Sequence, residues 1–322
     1  MSRRRLWLGF GALGAALIAV YFVLLSTQAQ NVLYELIGVL GVAGILVGVR
    51  INRPARRAPW YLLAAGIGLL VVGDIAWTIY AWLGPTPYPS LADVLYLAGY
   101  PVVAAGILML RRPAGRTVDR ARLAETLIIT TGVALLAWEP FIEPYALDAS
   151  LTLLERLVSL AYPMADLLMV SVLIRLAIGV GSRAPAYLLI LGGVVSTLVG
   201  DTVYAVLATQ GTYYTGHPVD ATWLVYYTLV GAAALHPSMR GLSEPAPDAP
   251  VRVGRIRLAL LAGSTLLAPA MLWSENARGH HRGTTVLLIA AAMLFLLVVY
   301  RMSLLVREVG AKADALNRQG EN

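Results

Sequence analysis

Cysteine is absent from all 322 residues. That excludes disulfides, thiolate metal sites, cysteine nucleophiles and iron–sulfur ligation. Charge is also scarce, with Asp, Glu, Lys and Arg at 13% against 58% hydrophobic residues. The polar interruptions near 111–122, 239–256 and 307–322 are each too short to bury a core of their own. Only four histidines occur, and none sits in a metal or haem arrangement. His280 and His281 are adjacent and cannot share a helical face, while His217 has Ser90 as its counterpart in the pattern below, so it is no shared ligand. His236 reads as a helix-end cap. A glycine-rich phosphate loop, a Ser/His/Asp set and a zinc signature are all missing. The sequence therefore predicts no cofactor, no metal site and no catalytic residues.

What remains is a series of apolar runs of about 20 residues, the length that spans a hydrocarbon core. They predict an all-α polytopic membrane bundle of ten spans, near 6–26, 31–49, 59–83, 91–110, 121–139, 152–178, 184–208, 218–236, 254–273 and 284–306. The first run follows Met1-Ser-Arg-Arg-Arg and is too long for a secretory signal core, so it reads as a retained span. Arginines crowd alternate loops: Arg3, Arg4, Arg5, Arg50, Arg53, Arg56, Arg57, Arg111, Arg112, Arg116, Arg120, Arg122, Arg183, Arg240, Arg252, Arg255 and Arg257 on one side, Arg278 and Arg282 on the other. By the positive-inside rule both termini are cytoplasmic, in a multi-pass protein of the plasma membrane. The net charge of +7 is thus a topology signal facing lipid headgroups and does not point to nucleic acid.

The chain matches itself at an offset of 127. Gly73, Asp74, Trp77, Gly84, Asp93, Tyr96, Leu97 and Tyr100 recur as Gly200, Asp201, Tyr204, Gly211, Asp220, Trp223, Leu224 and Tyr227. Spans 1–4 and 5–8 form the two copies, and an even number of spans per copy gives them the same orientation, a parallel repeat. The expected divisions are 1–139 (first repeat and the start of the second), 127–240 (second repeat), 254–306 (spans 9 and 10) and 307–322, a cytoplasmic output helix. Met302, Leu305, Val309 and Leu316 give that last segment a broken heptad seam, with Lys312 in the remaining position, and a homodimer is expected on this basis.

Carboxylates inside membrane spans are costly and face the bundle interior. Asp74 and Asp201 fall in the outer halves of spans 3 and 7; Asp93 and Asp220 fall at the outer starts of spans 4 and 8. Trp77, Tyr80, Tyr96 and Tyr100 surround the first pair, and Tyr204, Trp223 and Tyr227 the second. Asp166, three residues after Pro163, lies near the middle of span 6. Three readings stay open for these twelve residues. One is structural: Ser90-x-x-Asp93 has capping-box form, Asp220 sits in a first helical turn, and the aromatics form an interfacial belt. The second is a small-ligand site of aromatic faces and carboxylates, and the third is proton or ion translocation. Glu35 and Glu139 are expected in solvent, and Glu125 paired with a nearby loop arginine.

Several strings resemble one family: Gly73-Asp-x-x-Trp-x-x-Tyr80, the tract from Tyr88 to Pro101, Ala161-Tyr-Pro-Met-Ala-Asp166, Ala232-Ala-Ala-Leu-His-Pro-Ser-Met239 and Arg53-Pro-Ala-Arg-Arg-Ala-Pro-Trp60. They are similar to the multispan N-terminal sensory region of actinobacterial diguanylate cyclase and phosphodiesterase proteins, over nearly the whole chain. The resemblance implies a sensor that couples an outer or intramembrane ligand to cytoplasmic cyclic di-GMP turnover, through a cytoplasmic signalling domain or partner protein. The sequence holds no G-G-D-E-F string and no E-A-L domain, so no catalytic role is expected within these 322 residues. It reads either as an excised sensor region or as a stand-alone relative. A transporter or ion-coupled carrier built from two repeats is the alternative.

Overall fold

The computed structural model describes residues 5–84, 87–110, 116–178, 184–243, 255–278 and 283–320. Helices dominate: α1 (Leu6–Val23), α2 (Thr27–Asn52), α3 (Ala58–Leu83), α4 (Leu91–Met109), α5 (Arg116–Ala137), a π turn at Trp138–Ile142, α6 (Glu143–Leu147), α7 (Leu153–Ile178), α8 (Pro185–Thr209), α9 (Asp220–Leu235), α10 (Arg255–Arg278) and α11 (Thr284–Gly320). No strand occurs among the described residues. Among the described residues eight helical segments are long and apolar enough to cross a membrane, consistent with a multi-pass helical membrane protein. Of the ten expected spans, that near 218–236 is shorter. The turns of residues 211–219, where Gly216 takes φ 91°, delay α9 to Asp220 and leave it 16 residues. The span expected near 254–273 falls within the 24-residue α10, whose side chains are described without a break over residues 258–274.

Local signals place the helix ends. Ser26 Oγ accepts from the Ala29 amide at the start of α2, and proline occupies the first turn of α3 and α8, where a missing N–H is harmless. The recurring glycines that follow α3 and α8 have a backbone reason: Gly84 takes φ 146° and Gly211 φ 64°, a region side chains disfavour. Of the loop arginines used for orientation, Arg3, Arg4, Arg111, Arg112, Arg183, Arg252 and Arg282 lie outside the described residues, as do His280 and His281.

The chain divides into two compact units, residues 1–112, 145–176 and 180–246 in one and 113–144, 177–179 and 247–322 in the other. In the first, small residues let backbones approach closely, as membrane helices do. Gly41, Gly44 and Gly48 of α2 lie against Tyr227, Gly231 and Ala234 of α9, and Gly66 of α3 faces Gly99 of α4. The Asn52 amide closes the α2–α9 seam by donating to the carbonyls of Ala234 (2.9 Å) and Leu235 (3.3 Å). Trp60, Ile45, Ile67, Ile107, Ile190, Leu224 and Tyr226 fill the core between α2, α3, α4, α8 and α9. Among the described residues no helix backbone runs closely along α7 over any length; it joins the unit through Met169, Val172 and Leu176 and through polar bridges, among them Tyr187 Oη to the Leu176 carbonyl (2.6 Å).

The second unit packs α5 against α10 and α11. Ile128, Leu135, Ala268, Leu287, Ala290 and Leu294 form its core, and Gly132 sits against Ser264. Glu125, fully buried, meets Arg301 of α11, with Nε at 2.8 Å and a terminal guanidinium nitrogen at 2.7 Å. Arg301, an arginine partner of Glu125, stands on the last long helix. Helix α11 continues unbroken for 37 residues, so the expected extension beyond the apolar span is helical. Met302 and Val309 are exposed and Leu305 half-buried; the side chains of Lys312 and Leu316 lie outside the described residues.

Candidate functional site

The two inner aspartates are held by donors from both halves of the first unit. Asp74 of α3 accepts from Tyr96 Oη of α4 (2.9 Å) and from Tyr227 Oη of α9 (2.8 Å). Asp201 of α8 accepts from Trp223 Nε1 of α9 (2.8 Å) and from Tyr100 Oη of α4 (3.0 Å), with Thr197 Oγ1 at 3.4 Å. In each case one donor lies 22 positions ahead in the same copy of the sequence pattern. The other is position 26 of the opposite copy, so Tyr100 and Tyr227 exchange places. The preceding glycines make this possible. A Cβ on Gly73 would collide with the Tyr96 ring, and one on Gly200 with Thr222 and the Trp223 ring. Each Gly-Asp pair thus lets an aromatic ring lie on the helix and reach the next residue's carboxylate.

The outer aspartates form separate helix-end structures. Asp93 Oδ2 accepts from the Ser90 amide (2.6 Å) and hydroxyl (2.9 Å), the expected capping box, while Oδ1 takes the Tyr162 hydroxyl of α7 (2.6 Å). Asp220 accepts from Tyr21 Oη of α1, from the Gly216 amide (2.8 Å) and from Tyr213 Oη (3.0 Å). Burial pushes the Tyr213 phenol up and the Asp220 charge adds to it, so this phenol stays protonated and remains a donor. Burial likewise raises the Tyr88 phenol, whose oxygen lies 2.6 Å from Ser159 Oγ of α7.

Asp166 of α7 stands near enough to Asp201 of α8 for the two carboxyl groups to influence each other. The sequence marks Asp166 but does not show this neighbour. Trp77 and Tyr80 are half-buried and donate to none of these carboxylates among the described residues. Tyr204 contributes through its ring, edge-on to Tyr213 (4.9 Å) and Trp223 (5.8 Å). Tyr21 and Tyr162 supply donors that the sequence pattern does not select, because both lie outside the Gly73–Tyr100 and Gly200–Tyr227 stretches. Glu35 departs from its expected solvation: Oε1 is shut off from solvent with no hydrogen-bond partner. The turn of α2 that carries it packs on α3 and α9, with Gly38 against Val71 and Tyr227. Glu139 is exposed, as expected. His236 Nδ1 accepts from the Ser238 amide (3.0 Å), a terminal cap.

No group of three or more His, Asp or Glu side chains is arranged to hold a metal among the described residues. A groove of about 700 Å³ lined by Leu24, Ser26, Val32, Leu36 and Trp82, and one of about 290 Å³ lined by Leu173, Val195 and Thr202, both lie away from the aspartates. Chemically the arrangement is a set of carboxylates whose described hydrogen-bond donors are hydroxyls, an indole and backbone amides. Comparison with protein-family models, curated proteins and solved structures finds no match.

The exchanged tyrosines have a measurable weight. Tyr100→Phe and Tyr227→Phe each remove one donor from a buried carboxylate and are expected to cost about 1–3 kcal/mol. Tyr80→Phe, which removes no such bond, should stay within about 0.5 kcal/mol of wild type. Denaturant titration in detergent, followed by helix content, checks the contrast.

Proposed function

We propose that the chain is a membrane-embedded sensory module, in which a small ligand at the Asp74/Asp201 network changes the relation of the two halves and α11 carries the change to a cytoplasmic output domain or partner. The exchanged pair of hydrogen bonds, Tyr227 to Asp74 and Tyr100 to Asp201, is the observation that carries this reading. It ties a polar centre to both halves of the first unit, so a change at the centre alters how they meet. The length of α11 and the family resemblance to cyclic di-GMP-linked sensory regions support the direction of output. Plasma-membrane placement with cytoplasmic termini belongs to the same proposal.

A parallel repeat in a ten-span bundle is the architecture that goes with it. Helix boundaries support this: α2, α3 and α4 shifted by 127 give 154–179, 185–210 and 218–236, against 153–178, 185–209 and 220–235 for α7, α8 and α9. The 16-residue α9 and the 24-residue α10 would complete the count.

A carrier is the second reading, favoured by the place of Asp166 within α7, three residues after Pro163. Reconstitution in sealed vesicles separates the two. A sensor binds without moving solute or protons, and Asp74→Asn with Asp201→Asn, in a full chain fused to a cytoplasmic cyclase, alters the ligand response of cyclase output. Steady flux that disappears with Asp166→Asn establishes the carrier instead, and unchanged output from a normally folded double variant removes the network from the signalling path.

A further inference from the structure

The end of α9 farthest from Asp220 carries a helix cap that the local sequence of α8 lacks. Helix α8 opens Ala184-Pro185-Ala186, and the alanine in the N-cap position has no side-chain oxygen to offer the first-turn amides. Ser238 supplies that oxygen from 52 positions away: its Oγ accepts from the Ala186 N–H at 3.0 Å. Ser238 belongs to the 3-10 turn Pro237–Met239, which follows α9 directly after His236. The imidazole fixes the hydroxyl in turn. Ser238 Oγ lies 2.8 Å from His236 Nδ1, and the Ser238 amide donates to the same nitrogen at 3.0 Å.

One protonation state satisfies all three bonds. Nδ1 accepts from the Ser238 N–H, so it carries no proton, and the neutral ring then holds its hydrogen on Nε2. Ser238 Oγ accepts from Ala186, which leaves its own hydrogen to point at Nδ1. A proton on Nδ1 turns that nitrogen into a donor. It can still give to Ser238 Oγ, but it meets the Ser238 N–H donor to donor, and that amide loses its acceptor.

The surroundings favour the same state. The segments that meet at this end, residues 5–10, 48–57, 184–189 and 230–243, contain Arg5, Arg50, Arg53, Arg56, Arg57 and Arg240 and no Asp or Glu. Their one other titratable side chain is Tyr187, whose hydroxyl donates to the Leu176 carbonyl at 2.6 Å. An imidazolium would thus add positive charge to an arginine-rich end. Trp7 of α1 packs on the ring with centroids 4.9 Å apart at 65°; this edge contact is open to either state, so Nδ1 decides the sign. Met239 is fully buried and anchors the turn. What can respond is therefore the hydrogen-bonded corner and not the packing beneath it.

We propose that His236 is a proton-sensitive latch on the start of α8: the neutral imidazole holds Ser238 as the cap of the Ala186 amide, and protonation of Nδ1 loosens that cap. The latch does not depend on what the Asp74/Asp201 network binds, so its failure would leave the sensory reading untouched. Uptake of a proton from solvent forms the Nδ1–H bond and breaks the hydrogen bond from the Ser238 N–H; release restores it. The folded chain holds this proton less readily than an exposed histidine does. The cap is therefore complete above about pH 6.5 and is lost as the pH falls below that value.

Solid-state NMR of the full chain in lipid bilayers, with nitrogen-labelled histidine rings and amide hydrogen exchange, tests this. At about pH 7.5 the His236 ring, assigned through its contact with Ser238, should be neutral with its hydrogen on Nε2, and it should titrate below the ordinary histidine midpoint of about 6.5. Between about pH 7.5 and pH 5 the Ala186 amide should lose roughly fivefold in protection beyond the intrinsic pH dependence of exchange, the worth of one helix cap. The Gly84 amide, which donates to the Tyr80 carbonyl, should show no such loss. His236→Asn offers the Ser238 amide an oxygen that does not titrate, so its Ala186 protection should be independent of pH. A ring carrying its hydrogen on Nδ1 at about pH 7.5, or a midpoint at or above the ordinary value, overturns the proposal. So does an Ala186 response that is missing in the wild-type protein or persists in His236→Asn. Should that variant fail to fold, the ring spectrum and the Ala186 response of the wild type decide the question alone.

Discussion

Glu125→Ala is expected to destabilise the α5, α10 and α11 unit by about 3–5 kcal/mol, the range for removing one partner of a buried ion pair. Glu125 is completely enclosed, and the Arg301 guanidinium reaches it with two nitrogens, at 2.8 and 2.7 Å. Alanine leaves that guanidinium largely buried with no opposite charge, and its Nη1 already lacks a hydrogen-bond partner. The cost therefore comes from stranding the arginine more than from losing an attraction. Substituting Arg301→Met on the same background removes the stranded charge and should return the protein to within about 1–2 kcal/mol of wild type. Denaturant titration of the single and double variants reads both values. A Glu125→Ala protein as stable as wild type would show that the pair does not anchor α11.

The features legible in the sequence are those with short spacing or simple composition. Eight of the expected helices follow from apolar length, the capping box at Ser90 and Asp93 from its four-residue form, and the continuation of α11 from the absence of a breaker. The importance of Gly73-Asp74 and Gly200-Asp201 follows from their recurrence. What recurrence does not reveal is which copy serves which. Tyr227 and Asp74 are 153 positions apart, and Tyr100 and Asp201 are 101 apart; nothing local distinguishes the observed exchange from a bond within each copy. The same distance effect hides the pairing of Glu125 with Arg301, 176 positions away. Glu35 shows a different limit. Its place near a helix end suggests solvent, but the turn of α2 that carries it faces packed helices. The shortness of α9 follows from positive φ at Gly216, a backbone property that an apolar count passes over.

The α2–α9 seam gives the other large expected effect. Gly48→Leu should cost about 3 kcal/mol or more, at the top of the range for overpacking. A Cβ at this position meets the backbone carbonyl of Ala234, and backbone within a helix cannot turn aside as a side chain can. Helix α2 must then move off α9, which also opens the contacts of Gly41 and Gly44 and pulls the Asn52 amide from the Ala234 and Leu235 carbonyls. Even Gly48→Ala places its methyl group in that contact and should destabilise, although alanine is the better helix former. Gly11→Ala and Gly68→Ala are the controls, since an added Cβ at either has nothing within 4 Å. Both should be neutral or stabilising by about 0.5–1 kcal/mol, the helix-propensity gain alone. If Gly48→Ala tracks those controls, the close approach of α2 and α9 is not what holds the seam; if it falls on the opposite side of wild type, the glycine is there to admit the neighbouring backbone. Because α9 carries Tyr227 to Asp74 and Trp223 to Asp201, a widened seam should also disturb the polar centre, so that the Gly48→Leu protein should also lose the added stability measured for the Tyr227 hydroxyl.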